Sequence, residues 1–200
     1  MTDTTTLDLG PQARIVARLA AGVPDARLGD PTPCPAYTVG DLLGHLAGLC
    51  VAFRDAARKD FGPTTDTDPE SGVPSLPADW REELPRVLDE LAEAWRDPAA
   101  WTGMTRAGGV DLPGDVAAAV AADELVVHGW DLARAGGQEY APDQAALRAS
   151  HAFLLAAAEE GDRGGGIFGP VVPVPDEAPL LDRAVGLSGR DPGWTPPTSP

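Results

Sequence analysis

The sequence predicts an all-α protein: a bundle of four or five helices with at least one long crossover connection. Three observations predict it. Apolar residues recur at three- and four-residue spacing in separate stretches along the chain. Almost nothing alternates with the period of two that a half-buried strand requires. Pro- and Gly-rich connections divide the helical stretches from one another. The 200 residues suit one domain, with or without a tail, and are enough to bury a core.

The first helix is expected over Pro11–Ala21, where a proline near the start costs nothing because its missing N–H would be unpaired anyway. GVPDARLGDPTPCPAY follows as a loop. A long helix is expected from about Val39 to Lys59, with Thr38 as N-cap and Asp41 three residues on, in the manner of a capping box. FGPTTDTDPESGVPSLP reads as a turn-rich loop. Ala78–Trp95 reads as a third helix with Leu84, Val87, Leu88 and Leu91 at helical spacing, Pro85 either kinking it or marking its first turn. AGGVDLPGD reads as a loop or short hairpin. A fourth helix is expected from about Val116 to Ala135, stopped by Gly136 and Gly137, and a fifth from near Pro142 to Glu160. GDRGGG is read as a flexible break, and the Pro-rich remainder as an extended tail with at most one short helix around Leu180–Leu187. The expected division is a bundle over residues 8–160 and a tail over 161–200. Val171, Val172, Leu180, Leu181, Val185, Leu187 and Trp194 make that tail too apolar for disorder, so it is expected to pack back on the bundle.

Composition narrows the partners. Fifteen Lys and Arg against 31 Asp and Glu give a formal charge of −16. That disfavours nucleic acid and anionic membrane surfaces, both of which call for basic residues. No apolar run approaches the ~20 residues that span a bilayer. MTDTTTLDLG lacks the basic and apolar regions of a secretory signal. Cys34 and Cys50 form neither a disulfide framework nor a CxxC pair and read as reduced thiols in a cytoplasmic protein.

Two stretches carry candidate chemistry. In LLGHLAGLCVAF (residues 42–53) His45 is the one polar side chain, so it faces core or cavity. In the fourth helix Glu124 and His128 stand at i and i+4, about 40° apart on the helix wheel. Asp131 lies within about 20° of Glu124, on the side away from His128 and about two turns further on, and Val116, Val120 and Val127 share nearly the same stripe. Taken alone, His45 also reads as an ordinary buried histidine. Asp123, Glu124, His128, Asp131 and Arg134 also read as the solvated side of an amphipathic helix, and both readings stay open. Facing inward, two imidazoles and one carboxylate make a three-ligand set that leaves a position for water or substrate, as in catalytic zinc sites. The same donors accept nickel or iron. His151 reads as structural, Cys34 as packing, and Trp130 and Trp194 as aromatic packing; GDRGGG lacks the Lys and Ser/Thr of a phosphate loop.

TPCPAYTVGDLLGHLAG resembles the TPCPxWxVxDLxxHL signature of the mycothiol-dependent maleylpyruvate isomerase N-terminal family, within the DinB-like metal-binding superfamily. DELVVHGWDLARAGGQ resembles that family's second signature, ExxxHxWDLA, and the closing GRDPGW is similar to the end of a single-domain actinobacterial subgroup. The resemblance spans about residues 8–194. It implies a DinB-like four-helix bundle with a divalent metal on His45, Glu124 and His128, and mycothiol as a thiol cofactor. Two departures limit it: Tyr37 stands where the signature has Trp, and only a short tail follows Glu160 where the isomerase has a second domain. Maleylpyruvate isomerisation is therefore not carried over.

The expected function is a metal-dependent, thiol-using enzyme of the isomerase or S-transferase type, with zinc the first choice of metal. Its partners would be a small-molecule thiol and an electrophilic substrate. Asp131 is expected to accept the other ring N–H of a metal-binding histidine. The alternatives are a metal-dependent hydrolase with Asp131 or Asp41 as base, and a non-enzymatic metal-binding module. In the tail, Arg183 or Arg190 is expected either to bind a carboxylate of the thiol or substrate or to form a surface ion pair.

Overall fold

The computed structural model describes residues 7–68, 72, 75–159 and 168–197. Helix α1 (Gly10–Ala21) opens one residue before Pro11. Helix α2 (Val39–Arg58) opens on the capping box: the Thr38 hydroxyl accepts from the Asp41 N–H at 3.2 Å, and the Asp41 carboxylate accepts from the Thr38 N–H at 3.0 Å. It ends one residue short of the expected Lys59, which caps the helix in the left-handed conformation. The stretch read as a turn-rich loop contains one helical turn, α3 (Pro63–Asp66), because the Thr65 hydroxyl takes up the Gly62 N–H.

Helix α4 (Trp80–Ala94) carries Pro85 in its interior, past the first turn, so Pro85 does not mark the helix start. AGGVDLPGD falls in a true hairpin. Strands β1 (Met104–Ala107) and β2 (Val110–Pro113) pair antiparallel, with Ala107 opposite Val110. Gly108 and Gly109, at φ of 60° and 76°, supply the tight turn that only residues tolerant of positive φ can make. Helix α5 (Gly114–Gly136) follows at once, and Gly137 caps it at φ 63°. Helix α6 is described over Gln144–Glu159, so the expected end at Glu160 lies outside the described residues, as does GDRGGG. Helix α7 (Leu180–Leu187) lies in the tail.

Helices α1, α2, α4 and α5 form the bundle. Both α1 and α2 pack against α4 and α5, which places α1 diagonally across from α2. The core is their shared interior: Leu42, Leu43, Leu46, Leu84, Leu88, Leu91, Leu125 and Leu132 are all fully buried. A buried polar residue also sits inside. Gln12 of α1 donates to the Leu125 carbonyl and the Tyr140 hydroxyl, and accepts from the Asp143 N–H, tying α1 to the turn that leads into α6. Helix α6 packs on the outside of α5, and α7 on α6. Since α1 and α2 are consecutive but not neighbours, the connection over residues 22–38 is the one that crosses the bundle, whereas the long loop between α2 and α4 joins neighbouring helices.

The tail turns sharply after α7. Gly189 stands at φ 86°, and a Cβ there would meet the Gly169 backbone at 2.7–2.9 Å. Gly189→Ala therefore combines backbone strain with a clash against main chain. It is expected to cost roughly 1–3 kcal/mol, a fall in Tm of about 2–4 °C per kcal/mol. A thermal melt unchanged from wild type would show that this turn is not packed as described.

Candidate metal centre

The N-terminal half of α2 and the middle of α5 face each other across the bundle, and His45, Glu124 and His128 meet there. The two Nε2 atoms both approach the same carboxylate oxygen: His45 Nε2 lies 3.4 Å and His128 Nε2 3.2 Å from Glu124 Oε2. All three donor atoms lie within 4.8 Å of one another. The rings stand edge to face with centroids 4.9 Å apart. Two donors on one tetrahedral zinc, each ~2.0–2.2 Å from it, lie roughly 3.3–3.6 Å apart, so the two spacings to Glu124 Oε2 are close to those of such an ion.

The far side of each imidazole is also engaged. His128 Nδ1 donates to Asp131 Oδ2 at 2.9 Å, and Asp131 is fully buried. His45 Nδ1 lies 3.5 Å from the Tyr37 hydroxyl. Tyr37 thus occupies the signature's Trp position and places a polar group against the site. Burial works against charge on these groups, yet the pairings win. Glu124 is held well below the usual carboxylate range because hydrogen bonds from His128 and His45 outweigh its desolvation. Burial pulls His128 down, but its bonds to Asp131 and Glu124 carry it up to about 9.

The charged face of α5 is therefore not a solvated one. Asp123, His128 and Asp131 are all buried. Asp123 accepts from Ser150 of α6 at 2.6 Å, and burial pushes its carboxyl up to about 7 despite that bond. Sequence reasoning passed over this pair, since a lone serine in the apolar stretch of α6 gives no sign of what it faces.

A cavity of about 460 Å³ opens beside the three residues. The loop before α2 supplies Pro33, Cys34 and Tyr37, α5 supplies Asp123 and Val127, and the tail supplies Phe168 and Arg190. Cys34 faces it, but burial pushes its thiol up, so it is a poor thiolate. Arg190 forms an ion pair, as one of the two expectations had it, but not at the surface. Its side chain is largely buried, its partner is Asp131, and it also lines the cavity. Asp41 is committed to capping α2. His151 and Arg183 lie together away from the cavity, where burial and the Arg183 charge lower the imidazole's pKa. Trp130 is buried under the Arg134 guanidinium, and the Trp194 carbonyl accepts from Arg134; neither ring lines the cavity.

The family model of the mycothiol maleylpyruvate isomerase N-terminal domain matches residues 9–133, a span holding all three converging side chains. The chain belongs to this family. Membership of the mycothiol maleylpyruvate isomerase N-terminal family accounts for the DinB-like bundle and both signatures. Two uncharacterized proteins of Mycobacterium tuberculosis, from strains CDC 1551 / Oshkosh and ATCC 25618 / H37Rv, are each 27% identical over 177 residues, 87% of this chain and 91% of theirs. Among solved structures, a mutant of the mycothiol-dependent maleylpyruvate isomerase superposes with a TM-score of 0.54 at 18% identity, covering 72% of this chain. The chain spans 65% of that protein's length, a little under two thirds. That likeness carries the fold. No helix among the described residues is long and apolar enough to cross a membrane.

Proposed function

We propose that the protein is a cytoplasmic, zinc-dependent, thiol-using enzyme of the isomerase or S-transferase type, with the metal on His45, Glu124 and His128 and mycothiol as the thiol. The observation that carries the metal reading is that both imidazoles are engaged at Nδ1 from outside and turn Nε2 toward one carboxylate oxygen. A zinc ion held by His45, Glu124 and His128 would act as a Lewis acid that favours the thiolate form of an external thiol.

The chain's own residues then have distinct tasks. Asp131 holds the His128 ring in the orientation that presents Nε2. Tyr37 stands over both imidazoles, with ring centroids 5.1 Å from His45 and 6.2 Å from His128. Val127, Phe168 and Pro33 give the cavity apolar walls that exclude water around an electrophilic substrate. Neither cysteine is suited to act as nucleophile, because burial raises both thiols. A thiol reaction here thus draws its sulfur from outside the chain, which supports a thiol cofactor. Both cysteines are free, in keeping with a reducing compartment. The hydrolase reading is weaker, since Asp131 and Asp41 are both committed to other partners.

The test is metal analysis of the purified protein, then turnover of a panel of electrophilic substrates with and without mycothiol. One zinc per chain and turnover only with the thiol are expected. Thiol-independent turnover would overturn the thiol reading in favour of hydrolysis, and a chain that takes up no zinc would overturn the metal reading.

A further inference from the structure

We infer that Arg190, contributed by the tail, is a positioning residue for the proposed metal, acting through Asp131 on His128. The inference rests on the metal reading above and adds a residue outside the family-matched span of 9–133.

Three donors of the guanidinium account for its setting. Nε donates to Asp131 Oδ1 at 3.2 Å and to Oδ2 at 3.3 Å, Nη2 donates to Oδ2 at 3.0 Å, and Nη1 donates to the Ser188 carbonyl at 3.2 Å. The same Oδ2 accepts the Nδ1–H of His128 at 2.9 Å. The planar fork therefore fixes the plane of the Asp131 carboxylate, a grip that a lysine's point charge does not reproduce. It also compensates a charge that is wholly out of water. With the fork removed, the carboxylate is free to rotate about its last bond and the His128 ring loses its fixed partner.

The tail delivers this residue by a defined route. Helix α7 ends with the Gly189 N–H donating to the Gly186 carbonyl and the Arg190 N–H to the Val185 carbonyl, both at 3.1 Å. The left-handed Gly189 then turns Arg190 inward toward α5. A second tether, Arg134 to the carbonyls of Pro192 and Trp194, holds the following residues without touching Asp131. The two contacts separate fixing Asp131 from merely docking the tail.

The experiment is a zinc competition titration on the full chain, comparing wild type with Arg190→Gln, Arg190→Lys, Asp131→Asn, the Arg190→Gln/Asp131→Asn double variant, Arg134→Gln and His45→Ala. Arg190→Gln is expected to weaken zinc binding by ~10-fold or more, within the range for residues that orient a ligand. Arg190→Lys should recover part of the loss. Because Arg190 acts through Asp131, the double variant should bind about as weakly as Asp131→Asn alone, and Arg134→Gln should bind like wild type. Wild-type affinity in Arg190→Gln, effects that multiply in the double variant, or an equal loss in Arg134→Gln would each overturn the inference. Should Arg190→Gln fail to fold, wild-type affinity in Arg190→Lys overturns it as well. Zinc binding lost in His45→Ala but unchanged in Arg190→Gln would sink this inference alone, whereas a wild-type chain that takes up no zinc would sink the metal reading with it.

Discussion

His45→Ala is expected to reduce zinc affinity by more than the ~10–100-fold that follows loss of a residue behind a ligand, because it removes one of three donors outright. The same change should cost the metal-free protein little, since His45 is about a fifth exposed and its two polar partners, Tyr37 and Glu124, both keep some contact with water. The two effects separate cleanly in a thermal melt. A ligand at 100 times its Kd stabilises the folded state by ~2.7 kcal/mol, so wild type should gain roughly 5–10 °C in saturating zinc. His45→Ala should melt near metal-free wild type and gain almost nothing. His128→Ala should also fail to gain, but from a lower starting point, because it leaves the buried Asp131 without its imidazole partner. A zinc-dependent rise that survives in His45→Ala would place the metal elsewhere.

The parts of this protein that could be read from the sequence share one property: their signals are local. The Thr38–Asp41 capping box fixes the start of α2 within four residues, and the start falls where those residues put it. His45 stands out because everything around it is apolar, and the bundle does bring it against Glu124 and His128. The i,i+4 spacing fixes that Glu124 and His128 share a face, but not which way the face points. That is decided by α2, which packs on α5 from a distance of about eighty residues in sequence. The same limit explains the other misses. Pro85 left two readings open, a kink or the helix's first turn, because proline is usually excluded from interiors, and the burial of Leu84, Val87, Leu88 and Leu91 on both sides of it carries α4 through. The α3 turn depends on one threonine hydroxyl reaching back to Gly62. Ser150 and Gln12 carry no pattern of their own, and their partners lie 27 and at least 113 residues away. Arg190 was visible as a rare cation in an acidic chain, but its partner was not, because Asp131 looked committed to the histidine alone.

The largest stability effect is expected at that partner. Asp131→Ala removes the one carboxylate shared by two donors with little contact with water, Arg190 with 11% of its side chain exposed and His128 with 8%. Deleting one side of a buried pair costs ~3–5 kcal/mol, because the remaining charge is left in a low-dielectric setting without compensation. Metal-free Asp131→Ala should therefore melt roughly 6–20 °C below wild type. Neutralising the stranded partner should return part of the loss, so that Asp131→Ala/Arg190→Leu melts above Asp131→Ala. The recovery is expected to be incomplete, since His128 still lacks its acceptor and the tail loses its grip on α5. Zinc affinity should stay low in both variants, as the His128 ring is unrestrained in each. Differential scanning calorimetry of the two variants at equal ionic strength checks the prediction. A double variant no more stable than the single one would mean that the Asp131–Arg190 charges are not coupled, and that the loss at Asp131 is one of packing.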